Sequence, residues 1–184
     1  MGYAIAEKLA DCGAEVILIS GKTELSIKNQ NIQLIKVVSA QEMYQKCIVH
    51  FNRVNGAIMV AAVADYTPVS TSNHKIKKLA SDLVITLKPT VDIAAELGKL
   101  KKENQLLIGF ALETDNELEN AHVKLQKKNL DFIVLNSLNE QGAGFEHNTN
   151  KITIIDKNNN IEKFQLKLKH EVAADIVDKL IKIV

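Results

Sequence analysis

Short apolar runs alternate with longer amphipathic segments along almost the whole chain, and this alternation limits the fold more than any other feature. The apolar runs, at residues 16–19, 32–38, 57–61, 106–112 and 132–135, have the length of buried strands. The segments with helical spacing span residues 2–12, 40–51, 90–100, 114–128 and 170–184. Strands that are apolar on both sides need helices over both faces. We therefore predict an α/β fold: a doubly wound, mostly parallel, Rossmann-like sheet.

Local signals predict where several elements begin and end. Gly13 is placed to end the first helix, and Ser39 with Glu42 forms a capping-box pattern. Thr114 with Glu117 repeats that pattern, and Thr90 is placed to cap the helix after Pro89. Residues 151–156 and 163–168 flank an asparagine-rich stretch, which predicts a hairpin, and residues 83–87 form an edge strand or part of an arm.

Size and charge exclude several classes of protein. The chain has 184 residues, which suits one domain, and its 23 basic and 22 acidic side chains give a net charge of +1. Such a balance predicts no general attraction to nucleic acid or to a membrane surface. The apolar run at residues 56–64 is too short to span a bilayer. Cys12 and Cys47 are interpreted as buried, small apolar residues of a cytoplasmic protein.

Two charged segments follow the third strand. Asp65 comes directly after a run of small residues, where it suits a ribose hydroxyl, a metal ion or a lysine, or simply caps a turn. Lys75, Lys77 and Lys78 come ten residues later. Three ammonium groups in four residues suit a polyphosphate, although such runs are often only solvated charge.

Two further segments should meet the first pair at the carboxyl edge of the sheet. The helix after Thr90 presents free N–H groups at this edge. Because the Asp92 carboxylate would repel a phosphate, a base or a sugar is the better ligand there. On the helix after residue 114, Lys124 and Lys128 lie one turn apart and make a plausible phosphate clamp. The alternatives are a helix start with nothing bound and snorkelling surface lysines. Phe110, at the end of a buried strand, is more often a core residue than a base-stacking one.

Several familiar motifs are missing from the sequence. There is no phosphate-binding G-x-x-x-x-G-K-[ST] loop and no G-x-G-x-x-G, and the five histidines are scattered without zinc spacing, so no metal ligand is assigned. Lys22 follows the strand at residues 16–19, where an NAD-binding fold would place an acidic residue. An NADP-binding oxidoreductase, with Lys22 facing a 2′-phosphate, is therefore kept as an alternative.

Five motifs in one order give the chain a family resemblance. They are Ala-Ala-Val-Ala-Asp-Tyr at 61–66, Lys-Ile-Lys-Lys at 75–78, Gly-Phe-Ala-Leu-Glu-Thr at 109–114, Lys-Asn-Leu-Asp at 128–131 with Asn136, and Gly-Phe at 144–145 with Asn150. Together they resemble phosphopantothenate–cysteine ligase, which in many bacteria is the C-terminal half of a bifunctional coenzyme A biosynthesis flavoprotein. The similarity runs over essentially all 184 residues.

The resemblance implies a reaction and a set of site residues. The family joins 4′-phosphopantothenate to cysteine with CTP and Mg²⁺ through an acyl-cytidylate, and releases pyrophosphate and then CMP. By position, Lys75 matches the lysine that turns over this intermediate. The positions that match nucleotide contacts are Asp65, Lys75, Val91, Asp92, Ile93, Ala94, Phe110, Lys124 and Lys128.

The resemblance also implies features outside the matched motifs. The family has an upstream strand and a glycine- and serine-rich loop whose asparagine stabilises the acyl-cytidylate, and that loop ends in Met-Gly, as Met1-Gly2 does here. We therefore expect a further strand upstream, and a decarboxylase domain fused upstream is one arrangement. The alternative to an active ligase is that these 184 residues are an inactive fragment that still binds nucleotide. Val91 stands where proline is common, and residues 67–87 would form a dimerisation arm.

Overall fold

The computed structural model describes residues 1–72, 74–78, 82–113, 115–137 and 148–183, with only the backbone described at residue 137. Within them, helices and strands alternate over the first two thirds of the chain, and short strands precede the last helix. In chain order the elements are α1 (Gly2–Asp11), β1 (Val16–Ser20), β2 (Ile32–Lys36), α2 (Ala40–Phe51), β3 (Gly56–Met59), β4 (Tyr66–Pro68), β5 (Leu87–Pro89), α3 (Ile93–Leu100), β6 (Leu106–Glu113), α4 (Glu117–Lys127), β7 (Phe132–Ser137), β8 (Thr149–Asn150), β9 (Ile152–Asp156), β10 (Ile161–Lys163), β11 (Lys167–Leu168) and α5 (Lys169–Ile181).

The central sheet has the strand order β10-β9-β7-β6-β3. The pairs β3–β6 and β6–β7 are parallel, whereas β9 runs antiparallel to both β7 and β10. A second parallel pair, β1–β2, forms a sheet of its own. In the described residues no backbone pairing joins β1 to β3, and the expected additional strand stays a prediction.

Two apolar clusters cover the two faces of the central sheet. On one face, residues of α2, α3 and α4 pack against β6 and β7, with Leu97 and Leu107 almost fully buried. On the other face, α1 and α5 contribute Ile5, Val172 and Ile176. The predicted doubly wound α/β fold with a mostly parallel sheet is confirmed.

Several predicted boundaries are confirmed. α2 begins where the capping box placed it, because Ser39 Oγ accepts the Glu42 N–H at 3.1 Å and the Glu42 carboxylate accepts the Val38 N–H at 2.9 Å. α1 ends before Gly13, whose φ of +90° is a left-handed conformation that glycine adopts without strain.

Other predicted boundaries are wrong. The hairpin strand after the asparagines is Ile161–Lys163 rather than 163–168, because the Asp156 carboxylate accepts the N–H groups of Asn158 and Asn160 and closes a tight turn. Residues 167–168 instead pair with Thr149–Asn150. The strand expected at 83–87 is Leu87–Pro89, paired with Tyr66–Pro68.

The caps of α3 and α4 also differ from the prediction. Asp92, not Thr90, caps α3, because Thr90 directly follows β5 and donates its N–H to the Asp65 carbonyl at 2.8 Å. α4 begins at Glu117 after Asn116, whose side chain makes no capping bond. Thr114, the predicted cap of α4, lies outside the described residues, as do Gly144 and Phe145 of the family motifs.

The predicted arm is described only in part. β4 and β5 form its two-stranded base, and Val69 N–H donates to the Thr86 carbonyl at 3.0 Å just beyond that base. Large apolar side chains are exposed along it, at Val69, Ile76, Leu83, Val84, Ile85 and Leu87.

Candidate functional site

A cavity of about 170 Å³ opens between the end of β3, the start of α3, β6 and the last turns of α4. Its lining combines apolar residues with carboxylates and ammonium groups from segments far apart in the sequence. Eight of the nine predicted binding residues line it: Asp65, Val91, Asp92, Ile93, Ala94, Phe110, Lys124 and Lys128.

The segment after β3 contributes small side chains and one carboxylate. Ala61, Val63 and Ala64 line the cavity, so its wall there stays close to the backbone. Asp65 is exposed, and the Thr90 N–H bonded to its carbonyl ties this segment to the approach to α3. Its carboxylate is therefore held at the cavity edge and open to a ligand.

The start of α3 is held in place by Asp92. One carboxylate oxygen accepts the Ala95 N–H at 3.0 Å, and the other lies 2.9 Å from the Lys128 ammonium. Partial burial alone would raise the pKa of Asp92, but the hydrogen bonds from Lys128 and Ala95 outweigh it and hold the pKa below its usual value. Asp92 thus stays ionised, and its charge offsets that of Lys128.

Lys124 is also paired with a carboxylate. Its ammonium contacts Glu113 Oε1 at 2.5 Å, and Asn120 Nδ2 lies 3.3 Å from the other oxygen of Glu113. Glu113 is the last residue of β6, so the pair joins the strand end to the middle of α4. The sequence reasoning did not identify Glu113 as a partner of Lys124, because spacing along one helix cannot show which strand end will face it.

Lys124 and Lys128 face the same cavity, as their spacing of one helical turn implies. Lys127 is exposed and is not among the lining residues. Two of these lysines therefore place an ammonium group at the cavity, and Lys127, beside them in the sequence, can serve as a control outside it.

Phe110 has two environments. It lines the cavity, yet it also packs against the α1–α5 cluster on the opposite face of the sheet. Alternation along β6 places Phe110 on the same face as Ile108, which also belongs to the α1–α5 cluster. Its role in holding a base stays a prediction.

Lys75 is not part of the cavity in this single chain. It is exposed on the described portion of the arm, with Lys77 and Lys78 beside it, and none of the three lines the cavity. The structure thus brings three of the four predicted segments together and leaves the Lys75 segment apart.

Thr90 lines the same cavity, and its buried hydroxyl has no hydrogen-bond partner among the described residues. A buried hydroxyl without a partner costs about 1–3 kcal/mol. Sequence reasoning missed it because it had assigned this hydroxyl to the helix cap.

The two cysteines play no part at the cavity. Cys12 is exposed, which corrects the expectation that it is buried: α1 ends at Asp11, so Cys12 lies past the end of the helix and not within its buried face. Cys47 is half-buried, and burial raises its thiol pKa to about 11, so it stays protonated and unreactive at neutral pH.

Comparison with known proteins identifies the family. Residues 1–184 match the family described as DNA/pantothenate metabolism flavoprotein C-terminal domain. The chain belongs to this family. A crystal structure of the C-terminal domain of the coenzyme A biosynthesis bifunctional protein CoaBC shares the fold, with a TM-score of 0.81 and 39% identity over 97% of this chain and 79% of that one.

Two relatives extend the comparison. The chain is 57% identical, over its whole length and 51% of the relative, to a protein named cysteine/cysteine sulfinic acid decarboxylase from an unknown prokaryotic organism. It is 41% identical, over 98% of its length and 44% of the relative, to CoaBC of Bacillus subtilis strain 168. The chain thus spans about half the length of these curated relatives. Separately, none of the helices in the described residues is long and apolar enough to cross a membrane.

Proposed function

We propose that this domain joins 4′-phosphopantothenate to cysteine, using CTP through an acyl-cytidylate, in coenzyme A biosynthesis. The observation that carries the proposal is the single cavity lined by Lys124, Lys128 and the first turn of α3. Membership of a pantothenate-metabolism family, and similarity to CoaBC, support this chemistry over an NADP-dependent oxidoreductase. Lys22, the residue on which that alternative rested, is not among the cavity's lining residues.

The proposed reaction has two steps. A carboxylate oxygen of phosphopantothenate attacks the α-phosphorus of CTP, and the bond to the leaving pyrophosphate breaks. The amine of cysteine then attacks the acyl carbon, loses a proton and displaces CMP. The first step depends on holding the carboxylate oxygen in line with the bond to the leaving pyrophosphate, and both steps depend on stabilising the charge of the leaving group.

The residues of the cavity have roles that fit these steps. Lys124 and Lys128 would hold the triphosphate as point charges, while the backbone at Val91–Ala94 would contact the sugar and base. Lys75 would act on the intermediate after the arm brings it to the site. Removing either cavity ammonium group should lower kcat/KM by about 100-fold, by analogy with the removal of one oxyanion-hole donor.

Mg²⁺ fits this site as a companion of the triphosphate rather than as a resident ion. Among the described residues, no cluster of three or more histidine, cysteine or acidic side chains could hold a metal ion. Mg²⁺ commonly binds through one or two carboxylates together with substrate phosphates. Asp65, which lines the cavity and has an exposed side chain, would supply the carboxylate that contacts Mg²⁺.

We further propose a homodimer formed through the arm, and a decarboxylase domain fused in the complete protein. Six large apolar side chains are exposed in the described part of the arm, and proteins commonly cover exposed apolar surface by association. The decarboxylase activity in the name of the 57% identical relative would belong to the part of that relative that this chain does not cover.

Pyrophosphate release tests the proposal. The complete protein is mixed with CTP, phosphopantothenate, cysteine and Mg²⁺, and the pyrophosphate released is measured. Lys124→Gln and Lys128→Gln should each reduce kcat/KM for CTP by about 100-fold, whereas Lys127→Gln, one position from Lys128 but outside the cavity, should have little effect.

Three other outcomes are informative. No pyrophosphate from the complete protein would refute the ligase assignment. Activity in an upstream-extended chain, with CTP binding alone in the 184-residue chain, would identify the latter as an inactive nucleotide-binding fragment. Tight NADPH binding without CTP binding would favour the oxidoreductase.

A further inference from the structure

Both ammonium groups of the cavity are already paired with carboxylates. Lys124 contacts Glu113, and Lys128 contacts Asp92, each carboxylate coming from an element other than α4. The two pairs bring the formal charge of these four side chains to zero. A polyphosphate entering the cavity therefore meets two cations whose fields are partly cancelled.

We propose that Glu113 is a specificity-determining residue that weakens the hold of Lys124 on polyphosphate and so allows pyrophosphate to leave. This inference rests on the proposed function, because it assumes that a triphosphate binds at Lys124 and Lys128. Lys124 would strengthen polyphosphate binding, whereas Glu113 would weaken it.

The geometry makes Glu113 the fixed member of its pair. Its side chain is 13% exposed, whereas that of Lys124 is 42% exposed. Asn120 holds the second oxygen of Glu113 at 3.3 Å and also donates to the Asp115 carbonyl at 2.9 Å. The carboxylate therefore stays in place beside Lys124, which lines the cavity, while the lysine side chain, with its flexible stem, is free to adjust.

An ammonium group has three N–H donors, so Lys124 can contact a phosphate without leaving Glu113. The phosphate then lies within several ångströms of a fixed negative charge, and their repulsion subtracts from the attraction. At a partly exposed site this repulsion should weaken polyphosphate binding by about tenfold. Ligands without phosphate charge should be unaffected.

The experiment measures the dissociation constant of inorganic pyrophosphate in the full chain by isothermal titration. Glu113→Gln keeps an oxygen that accepts from Lys124 but removes the charge, so pyrophosphate should bind about tenfold more tightly. Glu96→Gln is the matched control, because Glu96 forms an ion pair with Lys99, which does not line the cavity, whereas Glu113 pairs with the cavity residue Lys124. The control should bind pyrophosphate as the unmodified protein does.

A second variant protects the test against a folding defect. Asp92→Asn keeps an oxygen to cap α3 while removing the charge beside Lys128, and it should tighten pyrophosphate binding in the same direction. If the variants that fold bind pyrophosphate no more tightly than the unmodified protein, the inference is wrong.

Lys124→Gln separates this inference from the proposed function. If it weakens pyrophosphate binding while Glu113→Gln does not strengthen it, the phosphate site stands and the role of Glu113 fails. If Lys124→Gln leaves pyrophosphate binding unchanged, Lys124 does not hold phosphate, and both the inference and the placement of the triphosphate fail.

Discussion

Lys128 reaches from the end of α4 to Asp92 at the start of α3, with 2.9 Å between its ammonium nitrogen and a carboxylate oxygen. The same carboxylate caps α3 through the Ala95 N–H. One side chain therefore sets both the start of a helix and the position of a cation in the cavity. Substitutions of Asp92 should therefore change both the free energy of unfolding and the affinity for ligand.

The pH dependence of stability should report the Asp92 pair. Its pKa is held below the ordinary value of 3.8 by Lys128 and Ala95, against the effect of burial. The stabilisation is therefore complete above pH 3.8 and is lost as the pH falls through the lowered, folded-state pKa.

Urea unfolding of the native protein and of Asp92→Asn, at several pH values, checks this expectation. The native protein should be the more stable of the two near neutral pH, and the difference should shrink under acidic conditions. The effect will be small because the Asp92 side chain is 50% exposed and solvent screens the pair. A difference that grows on acidification would contradict the assignment.

Lys75→Gln should separate the two steps of the proposed reaction. Loss of its charge should let the acyl-cytidylate form but slow its conversion, so a burst of pyrophosphate should exceed the product formed. Rapid-quench analysis of both species checks this result. Lys163→Gln, which replaces an exposed lysine of β10, is the control; normal turnover in Lys75→Gln would remove Lys75 from the mechanism.

Gly98→Ala should destabilise the fold near the cavity. A Cβ at position 98 would lie 2.1 Å from the carbonyl oxygen of Lys128, so α3 and the end of α4 would have to separate. We expect a decrease of about 3 kcal/mol in the free energy of unfolding, measured by urea titration. Gly21→Ala is the control, because a Cβ there meets nothing within 4 Å; equal stability of the two variants would contradict the close packing at Gly98.

The arm should carry the dimer contact. Val84 is 86% exposed, and Val84→Asp should shift the protein from dimer to monomer in sedimentation velocity, because burying an unpaired carboxylate is costly. Val38→Asp, at a residue 88% exposed outside the arm, should leave the association unchanged. A native protein that sediments as a monomer at high concentration would refute the dimer.

The sequence alone determined the α/β layering and the helix starts that depend on neighbouring residues. Ser39 and Glu42 cap α2 because their partners lie within four residues, so no distant contact can change the outcome. The helical spacing of Lys124 and Lys128 likewise placed both on one side of α4.

Only the tertiary structure decided which groups meet across elements. Glu113 faces Lys124 because the packing of α4 against β6 brings those atoms together, and α3 starts after Thr90 because the Thr90 N–H is bonded to the distant Asp65 carbonyl. Charge pairing between elements depends on distances that sequence spacing does not contain. For the same reason the sequence predicted a positively charged site, whereas in the structure each of its two lysines is paired with a carboxylate from another element.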